Sequence, residues 1–389
     1  MIRVAFTLIG GKNWTGGQNY LLNLLEVLAR YQPTMLAPVL FVGEDNVEAA
    51  SSFRAITGLQ VVYTPCLNLA RRKSALLQAM LWGKERCLAR VFKQHRIDLV
   101  FESAQFFGWR LGIPAIAWIP DFQHRGLPHL FSRAAWWKRE IGFRAQVIGG
   151  RTIMLSSEDA RHACEHYYPS TQGCTRTVHF AIPPHANMNY PEARAIADAY
   201  NLPAQFIFMP NQFWRHKNHE LVLEALVILQ QRGKHIIIAA SGKQDDPRDP
   251  GYFPRFLTAL KKSGTEQSFR LLGLIPYPHL MALMRSCTAM LNPSLFEGWS
   301  TTVEEGRAMG TPMILSDLEV HREQMGEEAT YFERHSAQSL ANALERMAVT
   351  QASQREPRVG NAREAALQRA NHFSRDFVSL AKYCMSQKR

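Results

Sequence analysis

The sequence lacks any long uncharged run. Its longest uncharged segments, between Arg54 and Arg71 and between Asp198 and Arg215, hold 16 residues each and include Pro and Asn. A helix that spans a membrane needs about 20 apolar residues, so the sequence predicts none. The first residues also lack a basic leader followed by a small-residue cleavage site, which favours a strand over a signal peptide and predicts a cytoplasmic protein.

Closely spaced cysteines are absent as well. The six cysteines form no C-x-x-C pair and no Cys/His spacing typical of a metal site; they are Cys66, Cys87, Cys164, Cys174, Cys287 and Cys384. This spacing favours reduced thiols, so we expect neither a disulfide nor a bound zinc ion. Two neighbouring carboxylates, Asp245 and Asp246, lie in a Pro-rich segment and are expected to be solvated. The sequence predicts no metal ion and no cofactor.

Acidic residues are scarce in the first half of the chain. The net charge is +12, and residues 1–190 hold 21 Lys and Arg against 12 Asp and Glu. The densest basic segment, 71–96, carries eight Lys or Arg and one Glu, with Leu, Met, Val and Phe between them. Three interpretations stay open: a surface helix with its Leu face buried, a helix that lies on an anionic bilayer, or a nucleic-acid-binding segment. No RNP-type aromatic motif or zinc knuckle accompanies the charge, so we expect no nucleic-acid partner.

Short apolar runs alternate with longer segments of helical periodicity. The predicted strands are 2–9, 36–42, 59–63, 98–102, 114–119 and 152–155 and, after a Pro-rich segment at 182–191, 206–209, 235–240, 269–272, 288–292 and 313–316. This alternation is typical of parallel sheets built from β-α-β units. A chain of 389 residues is also longer than one hydrophobic core normally organises. We therefore predict an α/β protein with two doubly wound, Rossmann-like domains that face each other across a cleft.

Residues 292–312 carry the most specific motif. They read as the end of a strand, a sharp loop, a helix and a Gly-x-Pro turn. Thr301 and Thr302 each precede a Glu by three positions, the spacing of a capping box, so free amides at this helix start are expected to bind an anion. Glu297 and Glu305 bracket the loop, and carboxylates beside an anion site suit a polyol linked to a phosphate. In the alternative interpretation, Glu305 only completes the capping box and Glu297 is a surface residue.

This motif, P-S-L-F-E-G-W-S-T-T-V-E-E-G-R-A-M-G-T-P, resembles the E-x7-E segment of retaining GT-B glycosyltransferases of family 4. The segment that ends in Lys217 and Asn218 is similar to the family's K-N segment, and the resemblance extends over about residues 2–345. It implies a GT-B fold with an acceptor-binding domain at 1–183, a nucleotide-sugar-binding domain at 184–370 and a C-terminal helix at 371–389 that packs on the first domain.

The resemblance also implies roles for individual residues. Lys217 corresponds to the lysine that binds the donor diphosphate, and Arg215 is the candidate second cation, because Gln212 stands where the family often has Arg. The family's His-Asp pair is replaced by Pro120 and Asp121, with His124 a short turn further on. The implied catalytic residues are Glu297, Lys217, Arg215, Asp121 and His124. The implied donor-binding residues are Gly16, Gly17, Asn211, Gln212, Gly273, Leu274, Ile275, Gly298, Trp299, Ser300, Thr301, Thr302 and Glu305.

The activity implied by the resemblance is retaining, metal-independent transfer from a UDP- or GDP-sugar to a glycan or lipid-linked glycan. Glu297 is expected to hold hydroxyls of the donor sugar and Glu305 those of the ribose. The expected setting is the assembly of a bacterial surface polysaccharide or lipopolysaccharide, at the inner face of the cell membrane. Two alternatives stay open: a nucleotide-sugar epimerase or phosphorylase of GT-B fold, and a non-catalytic protein that binds nucleotide sugars or a membrane surface.

Overall fold

A computed structural model describes residues 1–8, 15–103, 105–184, 190–349 and 355–387 of the chain. The chain divides into two compact units. The first consists of Met1–Phe122, Arg133–Pro183 and Gln368–Arg389, and the second of Gln123–Ser132 and Pro184–Leu367. The domain boundary predicted from the sequence assigns residues 123–132 to the first domain, whereas the structure groups them with the second unit. Residues 9–14 of the predicted Gly-rich loop and 185–189 of the predicted linker lie outside the described residues.

The first unit is built on a parallel sheet of seven strands. These are β1 (Ile2–Thr7), β2 (Leu36–Gly43), β3 (Gln60–Thr64), β4 (Leu99–Ser103), β5 (Ala115–Trp118), β6 (Thr152–Leu155) and β7 (Thr175–Thr177). Their order in the sheet is β3-β2-β1-β4-β5-β6-β7, and all neighbours are parallel. The strand order reverses between β1 and β4, as in a doubly wound sheet.

The second unit has a parallel sheet of six strands. These are β8 (Ile207–Met209), β9 (Ile238–Ser241), β10 (Phe269–Gly273), β11 (Ala289–Asn292), β12 (Met313–Ser316) and β13 (Thr330–Phe332). Their order is β10-β9-β8-β11-β12-β13, so the reversal lies between β8 and β11. The carboxyl ends of those two strands therefore border the crevice in which doubly wound sheets bind ligands.

Helices connect the strands of both sheets. In chain order they are α1 (Thr15–Tyr31), α2 (Arg72–Trp82), α3 (Arg86–Gln94), α4 (Gln123–Gly126), α5 (Arg133–Ile148), α6 (Glu158–Tyr167), α7 (Tyr190–Ala199), α8 (His219–Gln231), α9 (Tyr252–Ser263), α10 (Tyr277–Ser286), α11 (Thr301–Ala308), α12 (Glu319–Met325), α13 (Ala337–Val349) and α14 (Arg355–Ser386). Among the described residues, no helix is long and apolar enough to cross a membrane.

Each sheet is covered by helices because its strands are apolar on both faces. Successive residues of a strand point to opposite faces. Ile207 and Met209 of β8 accordingly pack into one core cluster with α8, α9 and α13. Phe208, between them, packs into a second cluster with helices α10 and α11. In the first unit, the ring of Phe377 from α14 lies 5.9 Å from that of Phe6 in β1, so this helix completes the core around the first sheet.

The predicted strands are all present, with ends shifted by up to three residues. Two strands were not predicted, β7 and β13. Each has only three residues, T-R-T and T-Y-F. Such short segments carry no recognisable alternation and are defined by their pairing with β6 and β12. The helix predicted at 371–389 begins earlier, at Arg355.

The expectation of six reduced cysteines is wrong. Cys66, in the turn after β3, forms a disulfide with Cys87 of α3. The other four cysteines are free. The sequence does not indicate this proximity, because the two cysteines are 21 residues apart and helix α2 lies between them.

The basic segment 71–96 forms two helices of different character, separated by Gly83 with φ of 73°. Helix α3 buries Leu88 and Phe92, as an ordinary surface helix does. Helix α2 buries only Ala79. Four of its large apolar side chains are 46 to 63% exposed, namely Leu76, Leu77, Leu81 and Trp82, and Met80 is partly buried. The interpretation of a buried Leu face is therefore wrong for α2.

Candidate active site

A line of buried polar side chains crosses the carboxyl ends of β8 and β11. Asn211, just after β8, donates from Nδ2 to Oδ1 of Asn292, the last residue of β11, at 3.2 Å. Nδ2 of Asn292 in turn donates to the hydroxyl of Ser300 at 2.9 Å. Buried polar groups need such partners, so this line fixes the loops that leave the two strands.

Lys217 and Glu297 meet at the same edge of the second sheet. Lys217 ends a 3-10 turn, Arg215–Lys217, and Glu297 lies in the loop between β11 and α11. Nζ of Lys217 donates to Oε1 of Glu297 at 2.5 Å, and the two side chains are 15% and 10% exposed. The hydroxyl of Ser294 donates to the same oxygen at 2.7 Å. The structure thus brings together two of the predicted catalytic side chains.

The pair keeps Glu297 ionised. Burial alone would raise the pKa of this carboxyl, but the charge of Lys217 and the hydrogen bonds from Lys217 and Ser294 outweigh it, so the pKa lies below its ordinary value. The site therefore holds a fixed carboxylate and a fixed ammonium group side by side.

Glu305 is a second buried carboxyl group, with a different environment. It lies one turn into α11, and its Oε1 accepts a hydrogen bond from the hydroxyl of Tyr277 at 3.1 Å. Burial raises the pKa of Glu305 to about 7, although the hydrogen bond from Tyr277 acts in the opposite direction. The pKa values of Glu297 and Glu305 are thus shifted in opposite directions, which the sequence spacing alone does not reveal.

The first turn of α11 is held from outside the helix. Ser300 is its N-cap residue, but the Ser300 side chain makes no hydrogen bond to the first-turn amides. Instead, the amide of Gln324 binds both backbone groups of Ser300, each at 3.1 Å. The predicted capping box is wrong, because Thr301 and Thr302 lie inside the helix. Their backbone N–H groups have no acceptor from the cap and point toward the helix N-terminus, where an anion is favoured.

Asp246 is buried, contrary to the expectation that it is solvated. Its carboxylate accepts hydrogen bonds from the backbone N–H of Arg215 at 3.3 Å and from Nε of Arg248 at 3.1 Å. Asp245, in contrast, is half exposed. Asp246 therefore fixes the start of the turn that carries Lys217, a role that the Pro-rich composition of this segment concealed.

Arg248 connects that turn to α4. Its guanidinium group lies over the rings of Trp214 and Phe131, with its central carbon 5.3 and 5.5 Å from their centroids. It also donates to Oε1 of Gln123 at 2.7 Å and contacts Nδ1 of His216 at 3.2 Å. Sequence reasoning missed Arg248, because no motif marks it.

Arg215 and Gln212 are not drawn into the Lys217–Glu297 pair. Arg215 is exposed, and its side chain makes no hydrogen bond or ion pair with the residues that the structure describes. Gln212 is half-buried and makes no side-chain hydrogen bond within the described part of the chain. The structure therefore shows no second cation in contact with the pair.

His216, His219 and His321 are buried histidines that interact electrostatically with Lys217. Burial lowers the pKa of each, and the positive charge of Lys217 lowers it further. The pKa of His219, whose ring stacks on Phe213 at 4.2 Å, falls to about 3. All three are neutral at physiological pH, so Lys217 supplies the positive charge beside Glu297.

His124 lies in α4, which belongs to the second unit, and its side chain is buried. A Cβ atom at Gly126 of this helix would lie 2.8 Å from the ring of Phe296, so α4 packs closely against the loop that carries Glu297. Asp121 belongs to the first unit. Its Oδ1 accepts a hydrogen bond from Nη2 of Arg139 at 2.6 Å.

The remaining predicted residues lie at helix starts and strand ends. Gly16 and Gly17 are in the first turn of α1, in the first unit. Gly273 ends β10 with φ of 68°, and the side chain of Leu274 after it is 80% exposed, whereas Ile275 packs partly on the core. Gly298 and Trp299 are half-buried in the loop before α11. No group of three or more His, Cys, Asp or Glu side chains is placed to hold a metal ion in the described ranges.

Two Rossmann-like units with parallel sheets of seven and six strands constitute a GT-B fold. Residues 195–364, which contain the Lys217–Glu297 pair and Glu305, match the sequence family described as Glycosyl transferases group 1. No curated protein sequence matches the chain closely enough to count as a relative. The fold and the family match together support a GT-B glycosyltransferase.

Solved structures of similar fold cover nearly the whole chain. A glycosyltransferase from Rickettsia africae matches with a TM-score of 0.72 and 14% identity, over 99% of this chain and 98% of that one. Anabaena HepE, solved in complex with UDP, matches with a TM-score of 0.70 and 13% identity, over 98% and 100%. WaaG, described as a glycosyltransferase involved in lipopolysaccharide biosynthesis, matches with a TM-score of 0.60 and 15% identity, over 98% of each chain. At these identities the likeness concerns the fold.

Proposed function

We propose that this protein transfers a sugar from a UDP- or GDP-sugar to a glycan or lipid-linked glycan, with retention of the anomeric configuration, as enzymes of the family 4 type do. The observation that carries the proposal is the Lys217–Glu297 pair beside the first turn of α11, at the strand reversal of the second sheet. This segment also falls within the match to group 1 glycosyl transferases.

The charges at this edge suit the departure of a diphosphate. Bond cleavage at the anomeric carbon places negative charge on the leaving phosphate oxygen, and fixed donors that face this oxygen lower the barrier. In our proposal, Lys217 and the backbone N–H groups of Thr301 and Thr302 are those donors. An ammonium group has three N–H bonds, so Lys217 can bind a phosphate oxygen while it still donates to Glu297. These donors make a metal ion unnecessary for binding the diphosphate.

The two glutamates then bind different neutral parts of the donor. Glu297 is ionised and accepts hydrogen bonds from hydroxyls of the transferred sugar, while Glu305 accepts them from the ribose. The segment Gly273–Ile275 at the end of β10, in which Leu274 is exposed, binds the base through its backbone. Anabaena HepE has been solved with UDP-glucose, which supports a uridine nucleotide for a site of this fold.

Among the residues that the structure describes, no side chain is in an obvious position for a covalent intermediate, so we favour attack by the acceptor hydroxyl on the face that the diphosphate leaves. The departing phosphate oxygen then takes the hydroxyl proton. His124 on α4 and Asp121 are the residues we assign to the reacting sugar, and Gly16 and Gly17 to the donor phosphate side.

We assign acceptor binding to the first unit, which carries most of the excess positive charge. The fold similarity to WaaG, a glycosyltransferase involved in lipopolysaccharide biosynthesis, supports an acceptor from bacterial surface polysaccharide or lipopolysaccharide assembly, met at the inner face of the cell membrane.

A donor panel tests the proposal. A bound nucleotide sugar stabilises the folded state by mass action, so the matching UDP- or GDP-sugar should raise the melting temperature. Lys217→Ala and Glu305→Gln should each lose this shift and the transfer of label to an acceptor, whereas the surface controls Lys262→Ala and Glu266→Gln should keep both. The anomeric configuration of the product, read by NMR, tests retention.

The same assay separates the alternatives. Conversion of the donor without an acceptor glycan would indicate an epimerase or a phosphorylase. Donor binding without turnover, over a broad acceptor panel, would indicate a binding protein. Normal transfer by both active-site variants would contradict the assignment of this site.

A further inference from the structure

The first unit contains a cleft of about 660 Å³ that is lined by none of the candidate active-site residues. Five cationic side chains line it: Lys84, Arg86, Arg90, Lys93 and Arg96. Their arrangement follows from the periodicity of α3. Arg86, Arg90 and Lys93 are spaced i, i+4 and i+7 and share one face of the helix, while Leu88 and Phe92 on the other face are buried in the core.

The positive charge of this cleft is compensated only in part within the described part of the chain. None of the five cationic side chains makes an ion pair or a side-chain hydrogen bond with a described residue. Of the described residues that line the cleft, one is a carboxylate, Asp98, which accepts a hydrogen bond from the backbone N–H of Arg3 at 2.8 Å. Like charges this close together repel one another, so an anion in the cleft is favoured.

The cleft lies at the amino ends of the strands. Arg96 and Asp98 immediately precede β4, and Leu111 and Ile113 precede β5. Doubly wound sheets bind their substrates at the opposite, carboxyl edge. The cleft is therefore a separate surface from any substrate site of this sheet.

Helix α2, just before the cleft in the chain, exposes apolar side chains. Lys73, Leu77 and Leu81 are spaced i, i+4 and i+8, so they share one face of the helix. Leu76 and Trp82 are exposed beside them. A globular helix normally turns such a face to the core, and contiguous exposed apolar side chains flanked by cations are typical of a helix that lies in a membrane interface.

The apolar face and the cleft are joined at Gly83. The backbone N–H of Arg110 donates to the carbonyl of Gly83 at 2.6 Å, and a Cβ atom at Gly83 would lie 2.6 Å from Nε1 of Trp109. Trp109 is itself half exposed. Lys84 and Leu111, the next residues on the two segments, already line the cleft. The disulfide between Cys66 and Cys87 ties the chain before α2 to the first turn of α3, so both helices are anchored to the same region of the first unit.

We propose that this α2–α3 surface docks on an anionic membrane. The cleft binds the phosphate groups of anionic lipids, and Leu77, Leu81 and Trp82 enter the boundary between headgroups and acyl chains. The exposed apolar face favours a bilayer over a soluble polyanion. No aromatic side chain among the described residues lines the cleft, so it offers no stacking platform for nucleic acid. Docking needs neither donor nor acceptor, so it can be tested independently of the proposed glycosyl transfer.

Cosedimentation of the full chain with vesicles tests the charged part. Wild-type protein should bind vesicles that contain phosphatidylglycerol and release as salt rises, and should bind pure phosphatidylcholine weakly. Each cation near an anionic surface contributes about fivefold, so Arg86→Gln, Arg90→Gln and Lys93→Gln together should weaken binding on the order of 100-fold. The matched control removes the same charge from exposed positions of the second unit, through Lys261→Gln, Lys262→Gln and Arg270→Gln, and should bind as the wild type does.

Two further variants test the apolar part. Leu77→Ser with Leu81→Ser should weaken vesicle binding at least tenfold at unchanged charge. Lipids brominated in their acyl chains should quench tryptophan fluorescence in the wild type, and Trp82→Phe should lose part of that quenching. All these side chains are exposed, so the melting temperatures should match that of the wild type.

The proposal is overturned if the cleft variant and its control bind anionic vesicles equally. It is also overturned if soluble polyphosphate binds the cleft while vesicles do not, which would identify a soluble anion as the ligand. Vesicle binding without sugar transfer would support the docking surface and contradict the proposed function. Sugar transfer without vesicle binding would support the proposed function and contradict the docking surface.

Discussion

Lys217 and Glu297 follow two neighbouring strands of the second sheet, and their side chains meet with Nζ 2.5 Å from Oε1. The contact spans 80 residues of sequence and joins the turn after β8 to the loop after β11. Each loop is anchored separately, one by Asp246 and the other by Ser294. The pair is therefore positioned before any ligand binds, as the stabilisation of a developing charge requires.

This pair should be strongly coupled in stability measurements. Lys217→Met leaves the nearly buried carboxylate of Glu297 without a partner. Glu297→Gln leaves the nearly buried ammonium group of Lys217 without one. We expect each to destabilise the fold by about 2 kcal/mol and the double variant to cost about 2 kcal/mol less than the sum. Urea unfolding of the four proteins gives the coupling. The half-exposed pair Arg232–Glu345, at 2.8 Å, is the control and should couple more weakly, because solvent screens it. Equal coupling in the two cycles would contradict the burial of the site.

The strands and the E-x7-E loop were predictable because their signals are local. An apolar run such as that around Phe208 and the spacing of Glu297 and Glu305 can be read directly from the chain. The partners of these residues could not be predicted in the same way. Arg248 contacts the turn that carries Lys217 by its bonds to Asp246 and by packing on two aromatic rings. Gln324, in the next helix, forms hydrogen bonds with Ser300. Neither residue belongs to a sequence motif.

Burial was the property that the sequence predicted least well. The Leu residues of α2 have the spacing of a core-facing helix, yet the structure leaves Leu77 and Leu81 exposed. Asp246 lies among prolines and is nevertheless buried. Whether a face is covered depends on which other segments pack over it, and these lie far away in the sequence.

Glu305 should make the stability of the protein depend on pH. Its pKa rises from 4.5 to about 7 on folding, because burial disfavours the charged form. Between these values the folded state keeps a proton that the unfolded state has lost, so stability falls as pH rises through this window. Glu305→Gln does not titrate. We expect it to unfold at higher urea than the wild type at pH 8, by on the order of 3 kcal/mol, and to lose most of this advantage at pH 4.5. The same difference at both pH values would show that the carboxyl has an ordinary pKa.

Chelation should leave transfer largely unchanged. In our proposal Lys217 and the amides of α11 bind the diphosphate, so no divalent ion is required. The initial rate in excess EDTA should stay within about twofold of the rate with Mg²⁺ or Mn²⁺. Loss of activity in EDTA that either ion restores would contradict this account of diphosphate binding.

The disulfide should be visible in thiol counts. Alkylation of the unfolded, unreduced protein should modify four cysteines, and alkylation after reduction should modify all six. Because the bridge closes a loop of about 21 residues, reduction should lower the free energy of unfolding by about 3 kcal/mol. Cys174→Ser, which alters an exposed free thiol, is the control and should leave the melting temperature unchanged. Six modified thiols without reductant would show that the bridge does not form.

Replacing Arg96 by glycine should raise the stability of the fold and weaken membrane binding. Arg96 lies two residues beyond the end of α3 and has φ of 53°, a left-handed conformation that costs a residue with a Cβ atom about 1 kcal/mol more than glycine. The next N–H, that of Ile97, returns to the carbonyl of Phe92 at 3.0 Å, so this conformation closes the helix. Arg96→Gly should therefore raise the free energy of unfolding by about 1 kcal/mol and, with one cation fewer in the cleft, weaken binding to anionic vesicles about fivefold. Arg96→Ala removes the same charge without relieving the backbone, so it should weaken vesicle binding equally and leave stability unchanged. A loss of stability in Arg96→Gly, measured by urea unfolding, would contradict the left-handed conformation.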